Sequence, residues 1–342
     1  MIRVLVVDDS AMVRKALTEE LSRFPDVEVV GSAMDPFVAR DKILELNPDV
    51  ITLDLEMPRM DGLTFLEKLM HHHPIPVVVV SSLTTERAEM ALRALELGAV
   101  QVVAKPSRYA APDVKHELIL AIRAAAATCV KQWVSPLLTD TEAPAPLRVS
   151  TTHKILAVGA STGGTVAVEV LMKGFPPDAP GTLIVQHIPG GFSASFAKRL
   201  NDVCSMEVRE AVDGDRVIPG VALVAPGGFH MVLTKSGTEF YVKIKDGPLV
   251  HYQKPSVDVL FQSVAQSAGK NALGVILTGM GSDGAKGLRA MRDTGSFTIA
   301  QDEATSLVFG MPKEAIAAGG AVEILPLPTI AARVLKQLRE SA

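Results

Sequence analysis

Short aliphatic runs punctuate the first part of the chain, at VLVV (4–7), VEVVGSA (27–33), DVITLDL (49–55), PVVVVSS (76–82) and VQVVAKP (100–106). Between the first two, Val13, Leu17 and Leu21 recur every four residues, the apolar stripe of a helix. Five such units, with strands that are near-continuously β-branched, predict a parallel sheet buried on both faces. After an Ala-rich helix end (121–128), prolines and Ser/Thr take over in QWVSPLLTDTEAPAPLRVSTTH, which reads as a linker. A second alternation starts at KILAVGAS (154–161) and continues through TLIVQHI (182–188), VALVAPGG (221–228), ALGVILTGMGSDG (272–284), FTIAQDEA (297–304) and AVEILPL (321–327). TEFYVKIK (238–245), with SG before it and DG after it, predicts one arm of a hairpin. The expected fold class is α/β, with two doubly wound, mainly parallel-sheet domains over 1–125 and 153–342 and a linker at 126–152.

Composition narrows the function classes. A net charge of −4 leaves no basic footprint for nucleic acid, and no helix-turn-helix with a basic recognition helix stands out. Two cysteines, Cys129 and Cys204, cannot support a disulfide framework, so a reducing compartment is expected. The N-terminal stretch reaches Asp8-Asp9 after four apolar residues, too short for a signal peptide. Nor does any apolar run approach the ~18–20 residues that span a bilayer. The expectation is a cytoplasmic protein without membrane insertion.

Polar chemistry collects where the first five strands end. Asp8 and Asp9 close the first, Asp54 the third, Ser81 the fourth and Lys105-Pro106 the fifth. In open α/β sheets this carboxyl edge is where ligands bind. Asp9 or Ser10 also suits the cap of a helix beginning near Met12. Three carboxylates together repel one another unless a hard cation neutralises them, and oxygen ligands with some water suit Mg²⁺. A lysine beside them matches a phosphoryl group, which makes Asp54 a candidate nucleophile for an aspartyl phosphate.

These residues resemble the receiver domain of a two-component response regulator. The resemblance implies a flavodoxin-like fold and Asp54 as phosphoacceptor. It assigns Asp8, Asp9, Asp54 and the Glu56 carbonyl to Mg²⁺, makes Ser81 and Lys105 switch residues, and places a cis bond before Pro106. One departure is Val102, where many receivers carry an aromatic rotamer switch.

In the second half, GASTGG (159–164) lacks the spacing of a phosphate loop, and no acidic residue ends the next strand to meet a ribose. It fits G-x-S-x-G across Gly159, Ser161 and Gly163, a tight strand-to-helix turn that exposes a serine hydroxyl near helix N-terminal amides. The partner base could be His187, His230 or His251, with His187 modestly favoured by spacing. The HHH cluster at 71–73 reads as a solvated helix end. Asp283, in a glycine-rich turn, competes with Asp302 and Glu303 as the orienting carboxylate.

GASTGG, QHIPGGFSASFAKRL, LVAPGGFHM, PSVDVLFQSVA, GVILTGMGSDGAKGL and QDEATSLVFGMPKEAI resemble the catalytic domain of chemotaxis protein-glutamate methylesterases. The resemblance spans the whole second half. It implies a Rossmann-like fold with Ser161 as nucleophile, His187 as base and Asp283 behind it. Thr162 would stand beside the nucleophile, and the Met280 amide would be an oxyanion donor. The implied substrates are γ-glutamyl methyl esters and selected glutamines on chemoreceptor cytoplasmic helices. The implied phosphodonor is a chemotaxis histidine kinase.

Overall fold

The computed structural model describes residues 1–82, 85–105, 112–128 and 154–340, and the chain divides into two compact units, Met1–Ser135 and Pro136–Ala342. From residue 129 onward the expected linker lies outside the described residues, as do Cys129 and the bond before Pro106. No helix among the described residues is long and apolar enough to cross a membrane.

The first unit alternates strictly: β1 (Ile2–Val7), α1 (Ala11–Leu21), β2 (Val27–Ala33), α2 (Pro36–Leu46), β3 (Val50–Leu53), α3 (Gly62–His72), β4 (Val77–Ser81), α4 (Thr85–Glu96), β5 (Gln101–Ala104) and α5 (Pro112–Ala126). All pairings are parallel, in the order β2-β1-β3-β4-β5. Every residue of β3 and β4 is buried, which is why their sequences are apolar runs rather than alternations. Leu17 and Leu21 of the predicted stripe are buried under α1. Ser10 caps that helix, its hydroxyl accepting from the Val13 amide, which leaves Asp8 and Asp9 for other work. His71, His72 and His73 are exposed at the C-terminal end of α3, as their position before Pro74 predicts.

The second unit contains β6 (Ile155–Ala160), α6 (Gly164–Lys173), β7 (Gly181–Gln186), α7 (Ser193–Val203), β8 (Glu207–Glu210), β9 (Val221–Val224), β10 (His230–Ser236), β11 (Glu239–Lys245) and α8 (Val257–Ser267). It continues with β12 (Ala272–Ile276), α9 (Ala285–Asp293), β13 (Phe297–Gln301), α10 (Met311–Ala317), β14 (Glu323–Leu325) and α11 (Leu327–Glu340). Seven strands form one parallel sheet in the order β14-β13-β12-β6-β7-β9-β8. Chain progression reverses at β6, with β7 on one side and β12 on the other, so a crevice opens at their carboxyl ends. β10 and β11 form the expected hairpin, closed at Gly237-Thr238 between the paired Ser236 and Glu239. Strand β8 was not expected: its sequence EVRE is charged and only Val208 is buried, so it carries no apolar run to read.

Helix α8 ties the hairpin to the sheet. Ser263 Oγ accepts the Leu233 amide of β10, and Ser267 Oγ donates to the Leu233 carbonyl. Its Val257, Leu260, Phe261 and Val264 join Ile276, Leu288 and Met311 in an apolar cluster of this unit's core. Cys204, at the end of α7, is a free thiol, and burial pushes its pKa up to about 12. Phe261 is fully buried in that cluster, so Phe261→Ala is expected to cost about 3–5 kcal/mol. The urea transition of the second unit, followed in the full chain, should move to lower concentration while that of the first unit stays in place. A loss below about 1 kcal/mol would mean that α8 is not the packing centre.

Candidate active sites

The first unit gathers its acidic residues at the ends of β1 and β3, where its strand order reverses. Lys105 Nζ lies 2.8 Å from Asp8 Oδ2 and 2.7 Å from Asp54 Oδ2, with both carboxylates buried. Lys105 reaches them because its amide donates to the carbonyl of Ser81, which fixes the end of β5 beside β4. Ser81 is itself buried at that edge. Burial raises the Asp54 pKa beyond what Lys105 can reverse, and the Asp8 charge adds to the rise. Burial also opposes the Lys105 charge, but its bonds to Asp54 and Asp8 win and its pKa rises. Asp8, Asp9 and Asp54 offer carboxylate oxygens all within 4.8 Å of one another, with Asp9 exposed and the other two buried. That oxygen donor set fits a hard divalent cation approached from solvent. Val102 is buried in β5.

The second unit brings two of its candidate triad residues into direct contact. His187 immediately follows β7, and its Nε2 lies 2.8 Å from Asp283 Oδ2 with both side chains buried. Burial pushes the Asp283 carboxyl up, but the bond and charge of His187 and the amides of Asp258 and Val257 overcome it and leave the pKa low. An ionised carboxylate facing Nε2 requires the proton on that nitrogen. Nδ1 is then the basic atom, and it is buried without a hydrogen-bond partner.

Ser161 immediately follows β6, whose Ala160 pairs with Gln186 of β7, so Ser161 and His187 leave neighbouring strand ends. Among the described residues Ser161 Oγ makes no hydrogen bond, and the contact to Nδ1 is not formed. The backbone at the serine is firmly held. Its amide donates to the Thr278 carbonyl, and its carbonyl accepts from Gln186 Nε2 at 2.8 Å. The same Gln186 amide nitrogen reaches the His187 carbonyl at 3.0 Å, so one carboxamide ties both site residues together. Gly163 has φ +75°, a left-handed turn that starts α6. A Cβ at Gly279 would lie 2.6 Å from Ser161 Cβ, so only glycine fits behind the serine. Thr162 is buried next to it. The Met280 amide, in the adjoining turn, donates to no carbonyl among the described residues.

The competing residues serve elsewhere. His230 accepts the Ser256 amide at Nδ1 and faces the Pro248 carbonyl through Nε2, so neither ring nitrogen is free. His251 lies 3.1 Å from Asp258 Oδ2. Asp302 caps a turn, accepting from the Thr305 amide and hydroxyl. Three residues with structural roles here went unread in the sequence: Gln186, Thr278 and Ser256. Ser256 could have been found, because a serine before the apolar run VDVLF is a helix N-cap pattern.

The family model described as CheB methylesterase matches residues 156–334, and that of the response regulator receiver domain matches residues 4–112. A "protein-glutamate methylesterase/protein-glutamine glutaminase 2" of Syntrophus aciditrophicus (strain SB) is 53% identical over 98% of this chain and 99% of its own. The chain belongs to the CheB methylesterase family. A second member, from Yersinia pestis bv. Antiqua, is 52% identical over 98% of this chain and 97% of its own. The crystal structure of the Thermotoga maritima CheB methylesterase catalytic domain covers 54% of this chain and 99% of its own, at 35% identity and a TM-score of 0.53. This family member joins a receiver domain to the catalytic one.

The lowered Asp283 pKa makes a statement about stability in this family member. A carboxyl held below its unfolded value stabilises the fold above that value, and the contribution is lost as pH falls through the folded pKa. Asp283→Asn should therefore melt earlier than wild type at pH 7, with the gap narrowing below about pH 4, near the unfolded carboxyl value. Equal melting at pH 7 would show that the carboxylate is not held ionised.

Proposed function

We propose that this chain is a phosphorylation-regulated serine hydrolase. It removes methyl groups from γ-glutamyl methyl esters of chemoreceptors and deamidates selected receptor glutamines. The observation that carries this reading is the His187–Asp283 pair, which commits Nε2–H to a carboxylate and leaves Nδ1 as a buried, unpaired base beside the strand end that bears Ser161.

In this mechanism the Ser161 hydroxyl turns toward His187 Nδ1 and gives up its proton as Oγ attacks the ester carbonyl. Asp283 stabilises the resulting imidazolium and holds its tautomer, a role whose loss can cost about 10⁴-fold in rate. The oxyanion is received by backbone amides, with Met280 as one donor, and each such donor is typically worth roughly 3–4 kcal/mol. Thr162 shapes the site beside the nucleophile. Nδ1–H then protonates departing methanol, or ammonia from a glutamine. Water, deprotonated by the same nitrogen, hydrolyses the acyl-enzyme to free glutamate. No metal is needed for the ester step.

Asp54 takes the phosphoryl group in the receiver. Asp8, Asp9, Asp54 and the Glu56 carbonyl would hold Mg²⁺, which when bound neutralises charge between the carboxylates and the phosphoryl oxygens. Lys105 is already paired to the Asp54 carboxylate and can follow its charge to a phosphoryl oxygen, while Ser81 lies at the same edge. Phosphorylation adds about −1.5 to −2 charges, and raises hydrolysis in the catalytic domain. The phosphodonor is a chemotaxis histidine kinase, the substrate is the cytoplasmic helices of chemoreceptors, and the site of action is the cytoplasm.

Methanol release from methylated receptor membranes tests this directly. Ser161→Ala should fall by at least about 10³-fold. Asp54→Asn should keep its basal rate yet gain nothing from acetyl phosphate with Mg²⁺. Full activity in a folded Ser161→Ala protein would eliminate the covalent route. Stimulation that survives in Asp54→Asn would remove the receiver from the mechanism.

A further inference from the structure

The hydrogen bonds of Asp283 are all accounted for, and one of them comes from a side chain that the mechanism above does not use. Oδ2 accepts His187 Nε2 at 2.8 Å and the Val257 amide at 2.7 Å. Oδ1 accepts the Asp258 amide at 3.0 Å and the Ser256 hydroxyl at 2.8 Å. The two amides belong to the first residues of α8, where unpaired N–H groups and the helix dipole favour an anion. The geometry points to Ser256 as a positioning residue for ester hydrolysis. Its hydroxyl locks the Asp283 carboxylate in the orientation that serves His187, and His230 holds Ser256 in place. This inference rests on the reading of Ser161, His187 and Asp283 as the catalytic residues.

The direction of each proton follows from the partners. Ser256 Oγ accepts the Val259 amide at 3.3 Å, the N-cap bond of α8, so its own single proton is free to go to Asp283. The Ser256 amide donates to His230 Nδ1 at 3.2 Å. His230 Nε2 lies 2.9 Å from the Pro248 carbonyl and must carry the proton, which fixes a neutral imidazole in one tautomer. Ser256, His230 and Asp283 are all buried, so no water competes for these bonds. A serine that served only to cap the helix would need its lone pair and not its proton. Spending that proton on a buried carboxylate is what a cap alone does not explain.

Without the hydroxyl, Oδ1 keeps only the Asp258 amide, and the carboxylate can turn about its Cβ–Cγ bond. Oδ2, still held by the Val257 amide, is then less well aligned on His187 Nε2 when the imidazole must accept a proton. The effect should fall on kcat, because Ser256 acts through Asp283 and His187 and not through substrate binding.

The test uses the full-length chain, activated with acetyl phosphate and Mg²⁺, on methylated receptor membranes. Ser256→Ala should lower kcat about 10- to 100-fold with KM nearly unchanged, the size expected for one hydrogen bond to a charged group. Ser256→Gly should lose as much, although glycine is nearly as good a helix cap as serine. Ser256→Thr, which keeps the hydroxyl, should recover most of the rate. In an Asp283→Asn background, Ser256→Ala should cost no more than about twofold, because the group it positions is gone. Wild-type kcat in both Ser256→Ala and Ser256→Gly, with Ser161→Ala inactive, would overturn the inference and leave the catalytic assignment standing. Equal losses with and without Asp283 would also overturn it, showing that Ser256 supports the helix alone. Activity retained by Ser161→Ala would bring down the catalytic reading and this role with it.

Discussion

A carboxylate buried to 2% exposure is tolerable only if every lone pair that faces the interior is met, and Asp283 meets that condition with four donors. Much of the second unit follows from supplying them. Helix α8 has to begin at Ser256 so that two unpaired amides point at the carboxylate. The turn after β12 has to bring residue 283 to that helix end. β12 has to lie beside β6, and β6 beside β7, so that the same carboxylate also reaches the imidazole at the end of β7, two strands away. The result is a polar group whose partners are in place before any substrate arrives. Such preorganisation is what makes electrostatic stabilisation effective in a dry site.

The first unit handles buried carboxylates in the opposite way. Asp8 and Asp54 share a single ammonium, Lys105, at 2.8 and 2.7 Å. Burial, with a smaller push from the Asp8 charge, leaves Asp54 with a raised pKa despite Lys105, where Asp283 has a lowered one. The difference suits the two tasks. In the proposed mechanism Asp283 is a fixed charge that does not react, and it is surrounded by donors. In the proposed function Asp54 accepts a phosphoryl group, and its carboxylate faces an open acidic edge. Both sites nevertheless sit at the point where a parallel sheet reverses its strand order, because that is where two loops separate and leave a crevice.

Elements that bury both faces were legible in the sequence, since an unbroken β-branched run has few other uses. β3, β4, β6 and β12 lie within runs read in advance, β1 and β7 largely overlap theirs, and the hairpin was betrayed by its flanking Ser-Gly and Asp-Gly. β8 was invisible because a charged edge strand carries no apolar signal. Residues at strand ends were legible as candidates, Asp54 and Ser161 most clearly. Gln186 and Thr278 were not, because their side chains work through hydrogen bonds to the backbone of Ser161, His187, Thr162 and Val308. A side chain that supports another's main chain leaves no pattern at a fixed spacing.

The three candidate histidines show where such reading stops and why. His187 and His230 are both buried, and both sit beside apolar strand segments of the same unit. Residue type and burial do not separate them, although His187 follows a strand of the parallel sheet and His230 opens the hairpin strand β10. What separates them is the state of Nδ1: in His230 it is filled by the Ser256 amide, and in His187 it has no partner. A general base needs one nitrogen held by a charge and the other left open, and that condition belongs to the neighbours rather than to the histidine. Ser256 contributes to both cases, filling the nitrogen of one histidine with its amide and steadying the carboxylate behind the other with its hydroxyl. The same residue thus helps fill the Nδ1 of His230 and hold the carboxylate that pairs with His187, whose own Nδ1 stays open.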